Sequence, residues 1–323
     1  MRTARENAEA LLSIAERERE SALLLIAHSS LGCVDYHIGN NRTALDHLVK
    51  ARALYDEKTH ASLAVAYGQD LGVLTLCYMD FVQLSLGYYD ESLRAGSEAI
   101  ALARRLGHPL SLCLALACRA FSTINYRDSA ATLRLTEECI SIAQEKGIAH
   151  WLAMAMIYRG WALAQTGSVE DGIKQIRQGI EAWHAMGAGV ALGLFFSVLA
   201  ESHIAGRQAT EAIRATDQAL AWIEKNSEGR WENLVRCCRG NVFRALHDPD
   251  RASAEYEKAL LVARPHEAKG VELRAAIHLA KLWRDQGKGA EARDLIAPIY
   301  GWFTEGFDWR DLKDAKTLLD ELT

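Results

Sequence analysis

Proline is scarce: 4 in 323 residues, against about 16 at average usage. Three of them, Pro109, Pro249 and Pro265, fall in expected loops, so long segments are free to run as helix. Strict apolar–polar alternation is nearly missing and apolar residues recur at three and four, which argues against a sheet-based fold. No run approaches the 18 or so apolar residues of a membrane span, and the N-terminus lacks a secretory apolar core. The net charge of −5 disfavours nucleic acid as the main partner. The 7 cysteines are odd in number and lack framework spacing, which points to reduced, buried thiols in a cytoplasmic protein.

Motifs that carry chemistry are missing too. The chain has no Gly-rich phosphate loop ending in Lys-Ser/Thr, no His-Glu-x-x-His pair, no Cys-x-x-Cys and no Gly-x-Ser-x-Gly elbow. His28, His37 and His47 share one expected hairpin, but separations of nine and ten do not align them on one helix face. No catalytic residue, cofactor or metal is therefore expected.

What the chain does have is a repeat. Ala99, Cys139, Gly179, Ala219, Ala259 and Ile299 stand at a strict 40-residue step, with Ala51 an earlier counterpart. In the first copy Gly32, Gly39, Ala44 and Ala51 follow at intervals of 7, 5 and 7. Gly32 allows close helix approach, Gly39 closes a turn, and Ala44 and Ala51 place small side chains on one face of a second helix. The third copy is the most degenerate, with Asn125 and Arg127 at its turn and no glycine. This spacing resembles the tetratricopeptide pattern, whose unit is about 34 residues; the surplus lengthens each second helix.

The expected fold is all-α: a right-handed superhelical solenoid of about seven tetratricopeptide-like hairpins with a C-terminal capping helix, in one domain. Residues 1–19 form the leading helix of an incomplete hairpin. Repeats follow at 20–60, 61–108, 109–148, 149–188, 189–228, 229–268 and 269–307, and the cap at 308–323. In the cap Asp308 is the expected N-cap and Leu312, Ala315, Leu318 and Leu319 give the apolar stripe. Pro298 is expected to kink or end the last hairpin helix before Trp302. The leading helix carries Ala8, Leu11, Leu12 and Ala15 on one side. Such an edge needs cover, from a dimer through this end or from preceding residues of a longer polypeptide.

One constellation stands above this background. At one position of successive first helices come Phe81, Phe121 and Trp161, which would line the concave groove as an aromatic stripe. Near them fall Asn125, Gln165 and His203, and toward the C-terminal end Asn241, Arg244, Lys281 and Arg284. Such a groove would take a protein or peptide, with apolar side chains on the rings and carboxylates near the cations. Two alternatives stand beside it: rings that only fill space between hairpins, and a small molecule held between the stripe and segment 55–70. The two-carboxylate clamp of chaperone-binding repeats is not expected, because Cys237 stands where that clamp has lysine.

Several stretches resemble a known family: Tyr67-Gly68-Gln69-Asp70, Arg159-Gly160-Trp161-Ala162, Gln286-Gly287-Lys288 and the closing run from Tyr300-Gly301-Trp302-Phe303 to Gly306-Phe307-Asp308. They look like the C-terminal helical-repeat region of large bacterial proteins that join a class III adenylate/guanylate cyclase domain to a signal-transduction ATPase. The resemblance implies a non-enzymatic interaction or sensor arm. Cyclase carboxylates and the ATPase phosphate loop lie upstream in such proteins, so no enzymatic role passes to any residue here.

Overall fold

The computed structural model describes residues 2–322, and among them every regular element is helical. After α1 (Arg2–Glu18), helices pair consecutively: α2 (Ser21–Ile38) with α3 (Asn41–Leu54), then, beyond two short helices, α4 (Glu57–His60) and α5 (Leu63–Tyr67), α6 (Leu71–Leu86) with α7 (Tyr89–Leu106). The series continues with α8 (Pro109–Asn125) and α9 (Ser129–Lys146), α10 (Ala149–Gln165) and α11 (Val169–Ala185), α12 (Leu192–Ala205) and α13 (Ala209–Asn226). It closes with α14 (Glu232–Ala245) and α15 (Pro249–Ala263), α16 (Lys269–Asp285) and α17 (Gly289–Tyr300), and a final α18 (Arg310–Glu321).

The period has a backbone cause. From Gly87 to Gly287 every twentieth residue is left-handed: Gly87, Gly107, Arg127, Gly147, Gly167, Gly187, Arg207, Ser227, His247, Glu267 and Gly287, with φ between 49° and 105°. Each ends a helix by turning the chain back while its amide reaches a last-turn carbonyl, as Gly87 N does to Leu84 O at 3.2 Å. The turn without glycine, at Arg127, keeps the geometry at φ 58° and bears the strain of a side chain there, about 1–2 kcal/mol.

The 40-residue set is the inner seam of the hairpins. Ala51, Ala99, Cys139, Ala219 and Ala259 are fully buried, and Gly179 is buried with them. The tightest nesting is α10 on α11, where a Cβ on Gly160 would come 2.5 Å from the Gly172 carbonyl oxygen. A side chain at either position would pry the pair apart.

Local details differ from expectation at Pro109, Pro249 and Asp308, whereas Pro298 behaves as expected. Pro109 and Pro249 are the first residues of α8 and α15 rather than loop residues, because the amide proline lacks has no intrahelical acceptor there. Pro298 lies inside α17, which ends two residues later. Asp308 does not cap α18; Trp309 occupies that position without a side-chain bond, and Asp308 instead lies 3.4 Å from Lys313. The leading helix α1 buries Ala8 and Ala15, and its Arg5 reaches the otherwise buried Asp35 at 3.4 Å.

The solenoid comes round far enough to touch itself. Asn41 Nδ2 donates to His266 O at 2.5 Å and Arg42 pairs with Glu267 at 2.8 Å. Glu305 accepts from the Asp90 amide at 3.0 Å, capping α7 from the far end of the chain. Phe303 stacks on Tyr89 with ring planes 6° apart. The closing aromatic run is therefore seam.

The left-handed turns yield a paired prediction. Arg207→Gly, at an exposed turn, is expected to raise unfolding free energy by up to about 1 kcal/mol, and Gly167→Ala to lower it by about 1–2 kcal/mol. No atom lies within 4 Å of a Cβ at Gly167, so only backbone strain acts. Urea denaturation of both variants reads this; equal effects of one sign would remove the backbone explanation.

Candidate ligand cavity in the concave interior

First helices line the inside of the turn, and their two ends differ. Along their first and middle turns lies a cavity of about 620 Å³, walled by Tyr78 and Phe81 of α6, Leu114 and, at its far end, Phe121 of α8, and Met154 and Tyr158 of α10. No Asp, Glu, Lys or Arg is among the residues that line it. Its rim includes Tyr67 at the end of α5, Gly68 and Gln69 after it, and Val190 before α12; Tyr67 and Val190 are exposed.

Both rim segments are tied down. Asp70 caps α6, accepting from Val73 N at 2.9 Å, and receives Tyr55 OH at 2.9 Å, while its own amide donates to Ser111 Oγ at 2.8 Å. On the other side Trp183 Nε1 donates to Val190 O at 3.1 Å. His37 faces Tyr78 OH at 3.0 Å. Burial first, and the Arg230 charge second, pull its pKa down to about 4. His150 is lowered by burial as well, and burial pushes the Cys118 thiol well up. The wall is therefore neutral and unreactive near pH 7.

The cavity ends at an aromatic waist. Phe121 meets Phe81 edge-on at 5.1 Å and Trp231 edge-on at 6.0 Å, lies tilted against Tyr158 at 6.2 Å, and Tyr36 stacks on Phe81 at 5.6 Å. Each such pair contributes about 0.5–1.5 kcal/mol beyond area burial. Arg230, in the short 3-10 turn Gly229–Trp231, drives its guanidinium across this waist. It sits 3.3 Å over the Tyr36 ring and donates to Tyr36 O at 2.9 Å, Asn41 Oδ1 at 3.0 Å and Ser85 Oγ at 2.8 Å. Beyond the waist a second recess of about 200 Å³ opens at the C-terminal ends of the first helices, lined by Phe121, Asn125, Trp161 and Gln165 with Arg127, Glu201, Arg274 and Arg310.

The residues singled out in the sequence are thus divided. Phe81 and Phe121 wall the apolar cavity, and Phe121, Asn125, Trp161 and Gln165 line the polar recess. Phe121 and Trp161 are buried. The expected continuous groove is interrupted because Arg230 and Trp231 fill its middle. His203 is buried against Gln208 at 2.7 Å and lines a separate recess with Arg177 of α11 and Glu211 of α13. Asn241 is spent inside its own hairpin on Tyr256 OH at 2.7 Å, and Arg284 pairs with Asp285 and Glu321. Arg244 and Lys281 both act electrostatically on His278. His28 and His47, unaligned along the helices, do meet across the α2–α3 hairpin at 2.9 Å. No group of three His, Cys, Asp or Glu side chains able to hold a metal forms among the described residues. Arg230, Trp231 and the cations of the recess were missed; their side chains come together only through the closure.

Fold and interior together define a tetratricopeptide-like helical repeat protein. No family model matches the chain and no curated protein does. Among solved structures it is similar to a Rap protein complexed with competence and sporulation factor (11% identity, 98% of this chain and 92% of that one, TM-score 0.64). It is also similar to apo RapI (12% identity, 92% and 99%, TM-score 0.55). A third is aspartyl phosphate phosphatase F from Bacillus subtilis (11% identity, 89% and 73%, TM-score 0.52). At these identities the likeness is one of fold.

Acid is expected to loosen the cavity. His37 takes up a proton near pH 6.5 when unfolded but only at about 4 when folded. Between those values the unfolded chain binds more protons, so stability falls as pH drops from about 6.5 toward 4. Urea unfolding at pH 7.5, 6, 5 and 4 should show a shallower decline for His37→Gln than for the parent. Identical slopes would mean that His37 titrates normally.

Proposed function

We propose that this chain is a non-catalytic sensor and interaction domain that receives a small, neutral, largely apolar molecule in the aromatic cavity. The observation that carries this reading is the uncharged cavity of about 620 Å³ inside the closed turn, a volume in the range of ligand sites. A charged ligand would lose its hydration there without finding a partner. The lining has no carboxylate, its histidines are neutral, and its one thiol, Cys118, is held protonated, so it offers binding rather than bond-making groups. The tetratricopeptide-like fold supports an interaction role, in which the rest of the surface meets a protein partner. The resemblance to the repeat regions of cyclase–ATPase proteins supports a place as the regulatory arm of a longer cytoplasmic signalling protein, whose catalytic centres lie elsewhere.

A second reading has its own observation. Tyr67 and Val190 on the rim are exposed, as are Val65 and Met186 in the same two segments. An apolar side chain of a bound peptide could enter the same mouth, with its neighbours resting on this rim.

N-phenyl-1-naphthylamine, a neutral fluorescent probe, is expected to bind saturably to the parent chain. Val190→Trp, which narrows the mouth, should weaken it about tenfold or more with little change in melting temperature. A neutral metabolite that displaces the probe selects the sensor reading; displacement only by apolar peptides selects the second. Absence of saturable probe binding would remove both.

A further inference from the structure

The recess beyond the waist has the opposite chemistry. Arg127 comes from the α8–α9 turn, Arg274 from α16 and Arg310 from the start of α18, and all three line one space of about 200 Å³. Two carboxylates stand against three guanidinium groups, and both are engaged. Asp311 is held by Arg274 at 2.9 Å, with Arg127 at 3.9 Å. Glu201 accepts from Trp161 Nε1 at 2.9 Å. Arg274 is further fixed by donating to Asn125 O at 2.6 Å, which leaves Arg127 and Arg310 as the guanidinium groups with donors to spare.

More positive charge converges on the same region. Arg244, Arg127, Arg274 and Lys281 all act on His278, half-buried on α16 with neither ring nitrogen partnered, whose pKa is held well below its usual value first by burial and then by these charges. Burial is the main cause of that shift and the cations add to it, so the side chains around the recess are weighted toward positive charge. The recess is also too small for a polymer and suited to a single anionic group with a short stem.

We propose that this recess is an oxyanion site, taking one carboxylate or phosphate group on Arg127 and Arg310, with Ser129 and Gln165 beside them and the Trp161 ring as its wall. Arginine suits this role because its planar fork matches two oxygens at once. The site is separate from the apolar cavity, since Phe121 and Leu194 are the only lining residues the two share. It uses none of the distant cations, such as Arg284, that the repeat spacing singles out.

The test is titration calorimetry and thermal shift with inorganic phosphate, succinate and chloride at matched ionic strength. The chain should bind phosphate or succinate saturably and chloride not at all; whichever oxyanion responds identifies the group. Arg310→Ala and Arg127→Gly should each weaken binding about tenfold, as for loss of one charge-assisted hydrogen bond. Arg127→Gly is the safeguard on folding, because glycine relaxes the φ 58° that arginine holds there. Binding of N-phenyl-1-naphthylamine should persist in both variants, which separates failure here from failure of the apolar cavity. A chloride response equal to that of both oxyanions, or a double variant that binds like the parent, would overturn the site.

Discussion

The architecture turns on one buried cation. Arg230 lies 194 residues from Tyr36 in sequence, yet its guanidinium donates to the Tyr36 carbonyl and covers the Tyr36 ring. That carbonyl belongs to the last turn of α2, the negative end of a helix dipole, and it already accepts from Gly39 N at 3.1 Å. Arg230 thus acts as a second cap on α2, delivered from across the superhelix. Burying a guanidinium without such acceptors would cost several kcal/mol. Three hydrogen bonds and a desolvated cation–π contact, the latter of about 2 kcal/mol, offset that cost only when the turn is closed.

Closure sets the polarity of what remains inside. An open solenoid presents one continuous groove, suited to an extended peptide. Here Trp231, Phe121 and Leu194 partition that groove. The N-terminal halves of the first helices contribute Leu74 and Tyr78, Leu114 and Cys118, Met154 and Tyr158, at steps of four that keep one apolar face inward. Their C-terminal ends run into turns, where Asn125, Arg127 and Gln165 line the polar recess. α8 and α10 thus contribute to the apolar cavity earlier along their length and to the polar recess at their C-terminal ends, and side by side they serve two compartments of unlike chemistry.

The helix-pair architecture was legible because it is local. Glycines at Gly87, Gly107, Gly147, Gly167, Gly187 and Gly287 mark most of the left-handed turns, and the small residues from Ala51 to Ala259 mark the seams. The site was legible only in part. Phe81 and Phe121 line the apolar cavity, while Phe121 and Trp161 line the recess beyond it, so the repeat position leads to the interior but not to one continuous surface. Farther along, equivalence of position stops meaning equivalence of surroundings. Asn241 is captured by Tyr256, a ring so close that a Cβ on Gly240 would lie 2.6 Å from its Cδ1. Arg230 stands in a turn beside Glu228 and Gly229, where an arginine reads as solvated, and no periodicity sets it apart. Its role exists only through contacts far apart in sequence.

The same closure links the cavity to the state of the whole solenoid. Tyr36 and Phe81 of the early hairpins and Leu194 and Trp231 of the later ones all line the apolar cavity. Any molecule held there touches both halves, so part of its binding free energy exists only when the halves are joined. By linkage, occupancy favours the closed turn by that same part, and contacts that hold the seam raise affinity in return. The seam pairs, Arg42 with Glu267 and the Asp90 amide with Glu305, lie on the outside of the closure, where a partner can reach them. On the proposed reading, a ligand in the interior and a protein at the seam would bear on one equilibrium, because Arg230 joins the same two halves that line the cavity.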